Sequence, residues 1–104
     1  MKIGHLEVNN KFHPGQVVMT PGAERTLAIA TAAEGIDALA LLKRHLEGDW
    51  GEETPPEDKK LNESSLSVKN PGRLMSAYKI GSARIWIITE WDRSVTTLLL
   101  PEEY

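Results

Sequence analysis

One histidine and a run of carboxylates share a short stretch of this chain: His45, Asp49, Glu52, Glu53 and Asp58. Hard cations bind through several carboxylate oxygens, and zinc accepts imidazole together with carboxylate, so the residue types suit a metal site. Their spacing does not. It matches neither the calcium loop of an EF-hand nor a zinc helix with its two histidines one turn apart. Acids also gather at helix starts for purely electrostatic reasons. A solvated acidic loop is the simpler reading, and neither a metal nor any other cofactor is expected. His45 falls near the C-terminal end of an expected helix, where the dipole favours imidazolium. Beside an apolar stripe it reads as a partly buried structural residue, while His5 and His13 read as surface residues.

Other chemistries are excluded more simply. The chain has no cysteine, which removes disulfides, thiolate metal sites and cysteine nucleophiles and fits a reducing compartment. It contains no glycine-rich phosphate loop and no Gly-x-Ser-x-Gly elbow, which disfavours common nucleotide enzymes and serine hydrolases. The net charge of −3 counts against nucleic acid, where neutralised phosphates supply much of the affinity. The charge is uneven, however. Residues 47–58 carry six acids and no base, whereas residues 69–93 carry five bases against Glu90 and Asp92. No signal peptide and no membrane-spanning run is evident, so a cytoplasmic protein with no membrane role is expected.

The elements that must position these residues follow from periodicity and punctuation. With 104 residues the expectation is one domain, 1–104. Residues 2–8 form a weak strand candidate and residues 16–20 a better one, entered through His13-Pro14-Gly15. Thr20 reads as an N-cap with Pro21 at the first helical position, opening a helix over 22–33 that Gly35 stops. A second helix over 36–47 places Leu39, Leu42 and Leu46 on one stripe, with Ala38, Leu41 and His45 adjoining, and Gly48 as its cap. Thr54 and Glu57 have capping-box spacing before a third helix whose thin stripe is Leu61, Ser65 and Val68, ended by Asn70-Pro71-Gly72.

The last third, 73–80, 83–90 and 94–100, reads as three strands rich in Ile, Val, Thr and aromatics. The turns Gly81-Ser82 and Asp92-Arg93 are short, so the strands form an antiparallel meander. The turns also set the register: Tyr78 faces Ile85, Ser76 faces Ile87, Thr89 faces Thr96, Ile87 faces Leu98 and Ile85 faces Leu100. One face, including Leu74, Ser76, Tyr78, Ile85, Ile87, Thr89, Thr96 and Leu98, is apolar enough to receive the helices. The other carries Trp86, Ile88, Thr97 and Leu99 with Lys79 opposite Arg84, a like-charge pair that Glu102, Glu103 or an anionic ligand would ease. The expected class is α+β: about three N-terminal helices packed on a C-terminal three-stranded antiparallel meander, which an N-terminal strand can extend.

Several stretches carry a resemblance. They include His45-Leu46-Glu47-Gly48-Asp49-Trp50-Gly51, Asn62-Glu63, Ser76-Ala77-Tyr78, Ile85-Trp86-Ile87-Ile88-Thr89-Glu90, Asp92-Arg93-Ser94, Thr96-Thr97 and Leu99-Leu100-Pro101-Glu102-Glu103-Tyr104. Together they resemble a widespread family of short, uncharacterised bacterial proteins encoded on plasmids, prophages and other mobile elements. That resemblance implies bacterial origin and a cytosolic location. The order of helices followed by a meander is also similar, in architecture alone, to the barnase/RelE-type small ribonucleases. Such an enzyme would place its catalytic side chains on the sheet. The candidates here are His45 as acid or base and Arg93 or Arg84 steadying phosphate charge, with Thr97 or Tyr78 donating a hydrogen bond.

Two functions follow. The first is a non-catalytic protein-binding or regulatory module of a mobile element, inhibitor-like, which acts through Trp86, Trp50, Lys79 and Arg84. Its partner is another protein or a second copy of the chain, because a sheet with two apolar faces must cover both. Trp50 alone has a plainer role, tucked over the helix ends. The second is a small RNA-cleaving or RNA-binding domain, with RNA as partner under this reading only.

Overall fold

The computed structural model describes residues 10–104; the strand expected over 2–8 lies outside them. A short strand, β1 (Gln16–Met19), leads directly into α1 (Pro21–Glu34). The Thr20 side chain accepts from the Ala23 N–H at 3.1 Å, Pro21 takes the first turn, and Gly35 closes the helix at φ 73. Asp37 then caps α2 (Ala38–Leu46) by accepting from the Ala40 N–H at 2.9 Å. Glu47 is the C-terminal cap of α2, and Gly48 lies one residue past it, beyond the position expected. The stripe also differs. Leu41, His45 and Leu46 are buried, while Leu39 faces solvent.

The third helix, α3 (Pro56–Ser65), departs furthest from its expected form. Thr54 makes no capping box. Pro55 is the N-cap without a side-chain bond, and the Thr54 hydroxyl instead donates to the Trp50 carbonyl at 2.6 Å and accepts from the Ala77 N–H at 3.0 Å. A long-range strand contact has outcompeted a local cap. The buried residues of α3 are Asn62 and Ser65, whereas Leu61 and Val68 are exposed.

The sheet has four strands in the order β1-β4-β3-β2, with β2 (Leu74–Ile80), β3 (Ala83–Thr89) and β4 (Val95–Leu99) forming the antiparallel meander. Tyr78 pairs with Ile85, Ser76 with Ile87, Thr89 with Thr96 and Ile87 with Leu98, as the turn lengths require. The expected pair of Ile85 with Leu100 falls past the end of β4, where Leu100 leads into a 3-10 turn (Pro101–Glu103). β1 extends the sheet by lying parallel to β4, with Val17 beside Thr96 and Met19 beside Leu98.

Helices cover one sheet face. Leu27 and Ala30 of α1 and Leu41 of α2 meet Tyr78, Ile85, Ile87 and Leu98 in a single apolar core. Each leucine and isoleucine side chain there contributes on the order of 2 kcal/mol by leaving water. The other face is covered in part by the chain's own end. The Tyr104 ring lies edge-on to Trp86 at 5.6 Å, and Arg73 donates to the Tyr104 hydroxyl at 2.7 Å. No helix among the described residues is long and apolar enough to cross a membrane.

Candidate functional site

The chemistry-bearing histidine sits at the centre of a buried polar chain. α2 carries His45 onto the helix-side face of the sheet, where its Nδ1 lies 2.5 Å from the Ser76 hydroxyl and its Nε2 2.9 Å from that of Thr89. Thr89 is 2.6 Å from Thr96 across β3 and β4, and the Thr96 hydroxyl donates to the Pro14 carbonyl at 2.7 Å. That carbonyl can only accept, and the direction of the whole chain follows from it. Thr96 gives its single proton to Pro14, so it must accept from Thr89. Thr89 must then accept from Nε2–H, which leaves Nδ1 to accept from Ser76. The geometry thus places a proton on Nε2, and burial of the ring keeps Nδ1 the acceptor.

The surroundings reinforce neutrality. Phe12 and Trp50 meet the imidazole edge-on at 5.2 and 5.8 Å. Burial, and after it the positive charge of Arg93, lowers the His45 pKa to about 3. His45 is fully buried with both nitrogens bonded, so it has no open path to a substrate.

The remaining candidates for phosphate chemistry do not share a cleft with it. Arg93 adopts φ 59 in the turn before β4 and sends its guanidinium inward. It donates to the carbonyls of Gly72 at 2.6 Å and Ser65 at 2.7 Å, and to those of Glu90 and Trp91 at 3.2 Å. It clamps the end of α3, the loop before β2 and the β3–β4 turn together. Tyr78 is buried with its hydroxyl donating to the Asp49 carbonyl at 2.5 Å, and burial raises its pKa. Thr97 lies on the opposite face of the sheet from His45, since it neighbours Ile88 rather than Ile87. His45 and Arg93 are near each other, but Arg84 and Thr97 are elsewhere.

The acidic loop is committed to internal pairs. Arg44 stacks over the Tyr78 ring at 4.5 Å and bonds Asp49 at 2.7 Å and Glu52 at 3.1 Å, which holds the Asp49 carboxyl below its ordinary range. Glu53 pairs with Arg84 at 2.9 Å. The Lys79–Arg84 like-charge pair is therefore relieved by the acidic loop and not by the C-terminal tail. Glu103 instead caps α1, accepting from the Thr20 hydroxyl at 2.5 Å and the Gly22 N–H at 3.2 Å. Among the described residues, no group of three or more His, Asp and Glu comes together as a metal ligand set. Trp50 is 4% exposed and donates from Nε1 to Glu63 at 2.8 Å, so it belongs to the interior and not to a binding surface.

The two edges of the sheet are treated in opposite ways. On β2 the backbone groups of alternate residues point outward, and each residue is answered. The Asn62 side chain donates to the Met75 carbonyl at 2.7 Å and accepts from the Met75 N–H at 3.1 Å, imitating a strand. The Trp50 carbonyl accepts from the Ala77 N–H at 3.0 Å, and the Glu53 N–H donates to the Ala77 carbonyl at 3.2 Å. The Glu52 carboxylate accepts from the Lys79 N–H at 2.8 Å. Gly51, at φ 96, lets this loop lie against β2; a Cβ there would collide with the Ala77 carbonyl.

The β1 edge has no such cover among the described residues. Gln16 and Thr20 donate to the Ser94 and Leu98 carbonyls of the β4 side, both at 3.0 Å, so Val17 and Met19 present their backbone groups outward. The strand is uncharged, and Val17, Val18 and Met19 are 42%, 37% and 42% exposed. Natural edge strands are commonly protected by charge, proline or a bulge, and β1 has none of these within its four residues.

The buried chain had a sequence signal. Ser76, Thr89 and Thr96 fall on the face expected to receive the helices, and hydroxyls in such a place need a partner, which His45 on the neighbouring stripe supplies. The imitation strand at Asn62 had none, because it depends on where α3 lies. Comparison with known protein families, with curated proteins and with solved structures finds no match to the chain.

Proposed function

We propose that this chain is a non-catalytic protein-binding module that takes up its partner by strand addition at β1. The observation that carries this reading is the contrast between the edges, one sealed residue by residue and the other, among the described residues, bare, uncharged and apolar. An added strand gains main-chain hydrogen bonds from Val17 and Met19 and apolar contact from three side chains. Catalysis is the weaker reading. His45 and Arg93 have their polar atoms bonded within the fold, and Thr97 is on the other side of the sheet. The Trp86 face, expected to carry binding, is a lesser candidate because Tyr104 and Arg73 already lie over it. A mobile element of a bacterium, which the sequence resemblance suggests as the source, would use such a module to engage another protein.

Placing the photoreactive residue benzoylphenylalanine at position 17, and separately at exposed position 61 on α3, tests the reading in producing cells. Irradiation is expected to give a defined protein adduct from position 17 and none from position 61. Equal adducts from both, or none from position 17, would refute it.

A further inference from the structure

We infer that the strand added at β1 is β1 of a second copy of this chain, antiparallel about a two-fold axis through Val18. This rests on the reading of β1 as the binding edge and names its occupant. Because the outward backbone groups are those of Val17 and Met19, the antiparallel pairing that uses the groups of both residues sets Val17 against Met19 of the other copy. The two symmetry-related pairs then use every outward amide and carbonyl of those residues. The same register sets Val18 against its own symmetry mate as the close, non-hydrogen-bonded pair, with Cα atoms about 4.5 Å apart. All exposed apolar side chains of β1 find apolar partners, Val17 and Met19 on one face and Val18 on the other.

Three features favour a second copy over a foreign segment. β1 is bounded by Pro14-Gly15 and Pro21, which leaves only four residues to pair, and an identical strand matches that length. No charge lies on β1, so the two-fold axis brings no like charges together. Joining the β1 edges also leaves only the sealed β2 edges outermost, so the assembly closes at two copies and does not propagate as a fibre.

Sedimentation velocity from micromolar to millimolar concentration tests this, with Val18→Lys, Val18→Glu and their equimolar mixture beside the wild type. The mass is expected to rise from the monomer's 11.6 kDa towards twice that value for the wild type. Each single variant, folded by circular dichroism, is expected to self-associate at least about tenfold more weakly, through like charges at the axis. The mixture, which sets an ammonium of one chain beside a carboxylate of the other at that axis, is expected to regain the dimer. A wild type that stays monomeric overturns the inference, as does a variant that dimerises like the wild type or a mixture no better than its components. A monomeric wild type that still gives a position-17 adduct with a foreign protein refutes self-pairing alone. A monomer with no adduct refutes the binding edge as well.

Discussion

Acid should destabilise this protein earlier than its carboxylates alone would cause, and His45 sets the size of the effect. In the unfolded chain the imidazole titrates near 6.5, whereas in the fold burial and the Arg93 charge lower its pKa to about 3. A depressed histidine means the unfolded state binds the proton first. The stabilisation is complete above pH 6.5 and is lost as pH falls below it, by up to about 1.4 kcal/mol per pH unit until the folded value is reached. Integrated between pH 7 and pH 5, the loss is about 2 kcal/mol. Asp49 and Glu52 contribute with the depressed-carboxylate sign, so their share disappears only at lower pH. Urea unfolding followed by tryptophan fluorescence at both pH values measures the loss. The control is His45→Gln, less stable in itself but unable to titrate. His5 and His13 are common to both chains and cancel in the difference. The wild type should lose about 2 kcal/mol more than the variant over this interval. Equal losses in both chains, or an imidazole that titrates near 6.5 in the folded protein by NMR, would refute the buried neutral assignment.

Removal of the imitation strand, by Asn62→Ala, leaves the Met75 N–H and carbonyl unanswered and should cost about 2 kcal/mol in urea unfolding. It should also increase aggregation, because it opens the edge that the fold otherwise seals. Arg93→Lys keeps the charge but not the fork that spans the Gly72 and Ser65 carbonyls, and should cost about 2 kcal/mol by the same measurement.

The sequence was most informative where structure is local. Thr20-Pro21 and Gly35 bound α1 as expected because caps and left-handed turns are written in adjacent residues. The meander register followed from Gly81-Ser82 and Asp92-Arg93 because loop length leaves little freedom in pairing. Errors arose where a distant partner decided the outcome. Thr54 and Glu57 have the spacing of a capping box, yet the Thr54 hydroxyl is taken by Trp50 and Ala77. Leu39 and Leu61 look like stripe residues, but α2 turns Leu41 and His45 inward and α3 turns Asn62 inward. Those rotations answer distant partners: the apolar core for Leu41, the buried hydroxyls for His45 and the β2 edge for Asn62.

The same long-range logic connects the histidine to the binding edge. Pro14 immediately precedes Gly15 and β1, and its carbonyl ends the chain of bonds that runs from Ser76 through His45, Thr89 and Thr96. The interior therefore anchors the entry to β1 on the sheet and aligns Val17 and Met19 outward. Fixing the entry to an edge strand before any partner arrives removes part of the ordering entropy that strand addition would otherwise cost. On that reasoning His45, the side chain best suited to acid–base chemistry, is committed to holding the entry to β1 in place. His45→Gln should then weaken dimerisation in the sedimentation experiment under conditions where the variant remains folded, although residue 45 lies far from the surface. Undiminished dimerisation in that variant would separate the buried chain from the edge and refute the connection.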